Sequence, residues 1–469
     1  MPLPNLARSV NVVPSNFQCV YFQLSMSNPR KQQQEAVSWR VVDQAKRFIK
    51  TLGPGFLTGA ADDDPSGIAT FVQAGAQYGL KLLWVAPFLF PFMVCIQEMS
   101  ARIGLVTRRG IITVLKEEYP PYALWLIVAL ALPATAINLG ADLLAMGSVA
   151  HLLVPQVSTK VFSLLSGSLV LALLFLFDYN RVAAVLKWTA CVLVVYFFVP
   201  FFVKQDWGLV LKSLVLPHLQ FDPTFLGTLG SVMGTNISVY LFFWESSAYV
   251  DERQHRDDRS FDDPSSDSLD LLSEVKLMQT DNAFGMGIAG TIMFFVIWTC
   301  GSTLFSQGIR DITTVEQAAE ALRPIAGDAA YFLFAAGILA SGLLAVPVLA
   351  SSCGYIVAEA LGCPRGLDRN LSQAKVFYTA IFLSVTLSLM INLTGIGAIQ
   401  ALIFSATVYG IIAPPTIFYI MKICNNPRLM GRFTNNIWSN VAGYYLLGMM
   451  CVVAIILIWK TFFLSQLVK

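Results

Sequence analysis

From residue 51 to the C-terminal end, apolar stretches of helix length alternate with short polar segments. A bilayer core of about 30 Å needs ~20 apolar residues per helix. On that measure the chain predicts eleven spans: 51–79, 82–105, 122–152, 161–177, 183–203, 224–250, 278–305, 329–360, 374–393, 396–421 and 437–464. The polar segments between them are not alike. Most of the 31 Lys and Arg fall before span one and in the segments after spans two, four, six, eight and ten. Positive charge favours the cytosol, so the pattern predicts a cytosolic N-terminus and an outward C-terminus in the cell (plasma or cytoplasmic) membrane. Residues 1–37 are polar and carry no signal-peptide apolar run. Met26, ahead of Ser-Asn-Pro-Arg-Lys, is a candidate start.

Composition supports a lipid environment. Only 13% of the residues are charged and 56% are hydrophobic, whereas soluble domains carry about 25% charged residues. A net charge of +2 gives no reason to expect nucleic acid. The eight cysteines form no CxxC pair and lie mostly in apolar stretches, which predicts buried small side chains and no disulfide framework or zinc site. His151, His218 and His255 are the only histidines, too few for a histidine-rich metal site. Segment 251–277 reads as the longest cytosolic loop. It holds nine carboxylates, among them Asp262 and Asp263, and lacks the glycine of an EF-hand. The expectation is a solvated loop, with a weak metal sensor as the alternative.

Two spans are interrupted. In span one, Gly53-Pro54-Gly55-Phe56 leads to Asp62-Asp63-Asp64-Pro65-Ser66-Gly67 before apolar residues resume at Ile68. Each carboxylate at mid-membrane costs at least a few kcal/mol, on the order of 3. Pro65 lacks an amide proton, and Gly67 relaxes the backbone. Two half-helices joined by unwound backbone are predicted, with carbonyls that a cation would satisfy. Span six carries a matching interruption, Met233-Gly234-Thr235-Asn236-Ile237-Ser238. Interruptions at corresponding positions of two halves point to a transporter's central site. Gly and Asn in membrane helices also serve close packing, and that reading stays open for span six. Gln97-Glu98 stands four residues before Arg102, a spacing suited to a Glu–Arg pair. Glu245 is a candidate for the inner vestibule or a structural carboxylate. Asn392 and Ser405 are candidates for the ion path or for bridging helices.

Gly53-Pro54-Gly55-Phe56, Asp64-Pro65-Ser66-Gly67, Gln73-Ala74-Gly75-Ala76-Gln77-Tyr78-Gly79 and Ser100-Ala101-Arg102-Ile103-Gly104 resemble the NRAMP family of divalent metal transporters. The resemblance extends over roughly 45–465. It implies an all-α polytopic fold of two inverted five-helix repeats (LeuT-like), with helices one and six broken mid-membrane. The implied organisation is a polar cytosolic tail over 1–45 and a transporter domain over 46–465. Repeat one covers about 51–203, repeat two about 224–421, and an extra helix about 437–464. The family's first-helix Asn ligand falls on Gly67, and its sixth-helix Met-Pro-His-Asn is absent. One register keeps Met233 at the thioether position. A second puts Thr235 there beside Asn236, and is preferred because Gly234 then opens the unwound turn. The family's third-helix acids fall on Asp142, which is kept, and Ala145. The pattern is similar to the family's magnesium-transporting branch. The resemblance thus implies Asp64, Gly67, Thr235 and Asn236 as the metal site, with the divalent cation as cargo and no resident cofactor.

The chemistry of the residues agrees. Carboxylate, hydroxyl, carbonyl and water suit Mg²⁺ and Mn²⁺, whereas thioether and imidazole favour later metals. The expected activity is Mg²⁺ transport, with Mn²⁺ as a further substrate, and without strong proton coupling, because Ala145 and the missing histidine leave Asp142 isolated. The alternatives are a proton-coupled Mn²⁺/Fe²⁺ symporter and, on the same fold, a sodium-coupled amino-acid carrier, whose substrate carboxylate an Asp would repel. A membrane metalloenzyme would need an HExxH-like set, which is absent. A non-transporting metal receptor is the remaining rival. The oligomeric state is not legible.

Overall fold

The computed structural model describes residues 53–177, 206–257, 267–323, 327 and 330–459. The polar tail, span five (183–203) and Asp262 and Asp263 lie outside the described residues. The helices are α1 (Pro54–Asp62), α2 (Pro65–Tyr78), α3 (Val85–Thr107), α4 (Ile111–Glu118), α5 (Pro121–Leu153), α6 (Thr159–Leu176) and α7 (Trp207–Val215). Then follow α8 (Pro223–Asn236), α9 (Val239–Asp257), α10 (Asp267–Ser302), α11 (Val315–Ala319), α12 (Ala330–Leu361), α13 (Lys375–Leu389), α14 (Ala398–Cys424) and α15 (Ile437–Trp459). Among the described residues, nine helices, counting α8 with α9 as one, are long and apolar enough to cross a membrane. The pair α1 and α2 forms a further, broken crossing.

The order repeats. A broken helix (α1/α2, then α8/α9) is followed by a long helix (α3, α10), a short loop helix (α4, α11), a long helix with an internal proline (α5 with Pro133, α12 with Pro347) and another membrane helix (α6, α13). The packing partners follow the same division. The broken helices, α3 and α10 pack on one another, as do α5, α6, α12 and α13, and α14 bridges the two groups. This is the inverted-repeat architecture, traced over four of the five members in repeat one.

Close helix approach explains several glycines. A Cβ on Gly59 of α1 would collide with the backbone of Gly285 on α10. On α8, a Cβ on Gly234 would stand 2.5 Å from the Ala406 carbonyl oxygen and 2.6 Å from the Gly410 amide on α14. Gly234 therefore lies inside α8 as a packing residue and does not open the unwound turn. The second break falls at Ile237 and Ser238, three residues later than Gly234.

The acidic segment 251–277 is also corrected. Helix α9 continues to Asp257 and α10 begins at Asp267, so most of it is helix. Arg253 is buried and donates to the Leu105 carbonyl at 2.9 Å, which ties α9 to α3. Cys95, Cys300, Cys353, Cys363, Cys424 and Cys451 are free thiols.

Candidate functional site

The first break is set by covalent chemistry. Asp64 precedes Pro65, and a residue before proline is pushed out of the helical region. Asp64 accordingly stands at φ −67°, ψ 168°, as the N-cap of α2. Its Oδ1 accepts the Gly67 amide at 2.7 Å, satisfying one of the donors a helix start leaves unpaired. Its Oδ2 accepts the Asn138 side-chain amide at 2.7 Å, and Asn138 Oδ1 in turn accepts the Ser405 hydroxyl at 2.7 Å. One carboxylate thus links α2, α5 and α14.

At the second break the Ser238 hydroxyl turns back to the Thr235 carbonyl. Tyr240, fully buried on α9, donates to the Ala61 carbonyl at 2.7 Å. That carbonyl belongs to the last turn of α1, where helical partners run out. The two breaks are therefore pinned together. Thr235 Oγ1 lies 3.5 Å from Ser66 Oγ.

Gly67 gives the site its shape. A Cβ there would sit 3.2 Å from the Asp62 carbonyl oxygen, 3.5 Å from Asp64 Oδ1 and 3.5 Å from Thr235 Oγ1. The space that this glycine leaves is thus ringed by three oxygens from both breaks. Asn236 is turned elsewhere: its amide nitrogen donates to the Val232 carbonyl at 2.6 Å and to Met293 Sδ at 3.0 Å. Of the four predicted ligand positions, Asp64, Gly67 and Thr235 come together, and Asn236 adjoins them facing α10. Met233 is buried in the same turn.

The surroundings are acidic without being a metal cage. Asp62 Oδ1, Asp63 Oδ2 and both oxygens of Asp142 are buried without a hydrogen-bond partner. Asp142 lies within electrostatic reach of Asp64. Yet no group of three or more His, Cys, Asp or Glu among the described residues is arranged to hold a metal. A cation here would meet one carboxylate, neutral oxygens and water.

On one side of the site, a cavity of about 300 Å³ lies between α2, α8 and α14. Its polar lining, with no charged side chain, includes Gln73, Gln77, Thr228, Ser231 and Thr407. Gln73 accepts the Ile312 amide at 2.9 Å and so holds the α10–α11 loop over this cavity. The opposite side is closed. Asp281 of α10 accepts the amides of Gly53 and Gly55 at 2.9 and 2.8 Å, capping α1 from another helix. Glu359 of α12 accepts the Thr113 amide at 2.9 Å and the Ser247 hydroxyl at 2.6 Å, and pairs with Arg365 at 2.8 Å. The Glu98–Arg102 pair expected from its spacing is present at 3.2 Å.

Asn138 is the site residue that the sequence reading passed over. It stands four residues before Asp142 on α5, hence on the same helix face. Ser405 reaches the site only through it, and Asn392 bonds locally to the Leu389 carbonyl at 3.2 Å.

Comparison with known proteins places these features. The natural resistance-associated macrophage protein-like (Nramp) family model matches residues 55–460. The divalent metal cation transporter MntH of Pectobacterium carotovorum is 23% identical over 427 residues, covering 86% of this chain and 94% of that one. The manganese transporter of Eremococcus coleocola, crystallised with an aromatic bis-isothiourea compound, superposes with a TM-score of 0.67 at 17% identity, covering 87% of this chain and 85% of that one. A closed conformation of Mhp1, a nucleobase-cation-symport-1 family transporter, shares the fold at a TM-score of 0.56 and 12% identity, covering 88% and 93%.

Proposed function

The chain belongs to the Nramp family, and we propose that it carries a divalent metal cation across the membrane through the site between its two broken helices. The MntH relative bears a divalent-cation transporter's name over nearly its whole length, so the cargo class follows the family. The protein is a transporter and not an enzyme. It acts in the cell membrane, with a cytosolic N-terminus on the charge pattern.

The preferred cargo is Mg²⁺, with Mn²⁺ also accepted. The observation that carries this reading is the ring of Asp62 carbonyl, Asp64 Oδ1 and Thr235 Oγ1 around the space at Gly67. All three donors are hard oxygens, which suit Mg²⁺ and Mn²⁺. Mg²⁺ keeps several waters, and the glycine leaves room for them. Asp64 supplies the charge, Thr235 and the Asp62 carbonyl supply neutral donors, and Gly67 contributes room. Asn236 adds an oxygen only when its amide turns away from the Val232 carbonyl and Met293. The Met293 sulfur, engaged by Asn236 at 3.0 Å, is the feature that favours a second reading, in which Mn²⁺ is preferred, as the name of the solved Eremococcus coleocola protein states for that transporter.

Flux is not strongly coupled to protons. A relay needs a chain of titratable groups, and Ala145 and the histidine-free sixth helix interrupt one beyond Asp142. The membrane potential suffices to drive entry: two charges gain about 4.6 kcal/mol per 100 mV, from ~2.3 per charge. Proteoliposomes loaded with metal- and pH-sensitive dyes test both claims. Mg²⁺ should compete with Mn²⁺ uptake, and metal entry should leave the lumen pH unchanged. Mn²⁺ uptake indifferent to millimolar Mg²⁺ would overturn the hard-site reading. Metal-dependent acidification lost in Asp142→Asn would show coupling.

A further inference from the structure

The inner half of the bundle holds a carboxylate that the site above does not use. Glu245 of α9 is fully buried, seven residues past Ser238, or about 10 Å at 1.5 Å per residue. Its Oε2 accepts the Gln97 side-chain amide from α3, and its Oε1 accepts the Asn282 side-chain amide from α10 at 3.4 Å. Gln97 and Asn282 are themselves buried, and Asn282 Oδ1 has no hydrogen-bond partner. Asp281 and Glu98, both acidic, act on Glu245. The nearby guanidinium of Arg102 is taken by Glu98, the Phe433 carbonyl and Asn435. Among the described residues, a buried carboxylate held by two side-chain amides, beside acidic neighbours and an amide oxygen left without a partner, is an incomplete electrostatic arrangement.

We propose that Glu245, Asn282 and Gln97 form a second binding site for a hard divalent cation, on the inner side of the helix breaks. Half-turns of the two side-chain amides exchange N–H donors for carbonyl oxygens. The same three residues then present a carboxylate and two neutral oxygens, a set suited to Mg²⁺ or Mn²⁺. Helix α1 packs tightly on α10 here, since a Cβ on Gly55 would stand 2.7 Å from the Asn282 backbone nitrogen. Displacement of α1 from α10 opens the site toward the inner face. The inference rests on the transport reading for the route by which the ion arrives, through Asp64.

Counting bound Mn²⁺ tests it without depending on flux. Purified full-length protein is titrated with Mn²⁺, and loss of the free-ion paramagnetic resonance signal is read with and without Mg²⁺. Wild type should bind two equivalents, both displaced by Mg²⁺. Glu245→Gln, which keeps shape and hydrogen bonding, should bind one, Asp64→Asn should bind one, and the double variant none. Full occupancy in Glu245→Gln overturns the second site, as does a wild type with one equivalent that only Asp64→Asn removes. Two equivalents retained in Asp64→Asn, with one lost in Glu245→Gln, would instead overturn the Asp64 assignment and leave this site standing. Should Glu245→Gln fail to elute as a monodisperse protein, Asn282→Leu takes its place with the same expected loss of one equivalent. Asn282→Asp, which adds a carboxylate, should tighten the second equivalent; unchanged affinity there also counts against the site.

Discussion

The two sides of the helix breaks are built from different chemistry. Between α2, α8 and α14 the polar lining is hydroxyl and amide, in a cavity of about 300 Å³. Between α1, α3, α9 and α10 the polar groups include three carboxylates, Glu245, Asp281 and Glu98, held by side-chain amides, backbone amides and an ion pair. Neutral oxygens can exchange with the waters of an arriving ion at small cost, so the open side can admit a hydrated cation without trapping it. Buried carboxylates bind tightly or close firmly. The asymmetry fits a path in which selection occurs at the breaks and closure is enforced below them.

The largest effect should come from the point where the two sides meet. Asp64→Ala should abolish metal uptake in proteoliposomes while the protein still folds and inserts; wild-type flux in that variant would remove Asp64 from the site. Asn138→Ala, which frees Asp64 Oδ2, should weaken metal affinity by about 10–100-fold, as loss of an orienting partner does. A titration showing unchanged affinity would mean that Asn138 merely packs. On the α1–α10 side, Asp281→Ala removes a helix cap worth about 1 kcal/mol, roughly fivefold in local opening. Hydrogen exchange should quicken at the amides of α1 and not at those of α2; α1 amides equally protected in wild type and variant would deny that Asp281 holds this helix. The smallest effect belongs to the lining of the cavity between α2, α8 and α14. Gln77→Ala loses the Thr228 hydroxyl contact at 2.8 Å, worth about 0.5–1.5 kcal/mol. KM should rise roughly two- to tenfold with kcat unchanged, whereas a collapse of kcat would place Gln77 in the transport step itself.

How much of this the chain disclosed depends on whether a signal was local. Asp64-Pro65 announced a break because acid and proline both oppose a continuous apolar helix. The Glu98–Arg102 pair followed from one-turn spacing. The second break was located too early, since a glycine that admits a neighbouring backbone looks, in sequence, like one that unwinds its own. The 251–277 segment read as a loop because charge marks exposure to water, and helices that leave the membrane keep their hydrogen bonds there. Asn138 could have been found from its four-residue offset to Asp142. Nothing local, by contrast, foretells that Gln97, Glu245 and Asn282 converge, because three different helices bring them together.

The pre-proline position of Asp64 carries one more consequence. Helices can melt and re-form during a transport cycle when the residues at a junction are free to adopt either geometry. Asp64 is biased against the helical geometry by its covalent neighbour, so joining α1 and α2 into one rod costs more than extending an ordinary helix, although α5 and α12 do run through Pro133 and Pro347. The second break, with Ile237 and Ser238 and no proline, bears no such bias. Rearrangement of the first crossing is therefore favoured as a pivot about this joint, which keeps its carboxylate at the break. Reversible winding meets less resistance at the sixth.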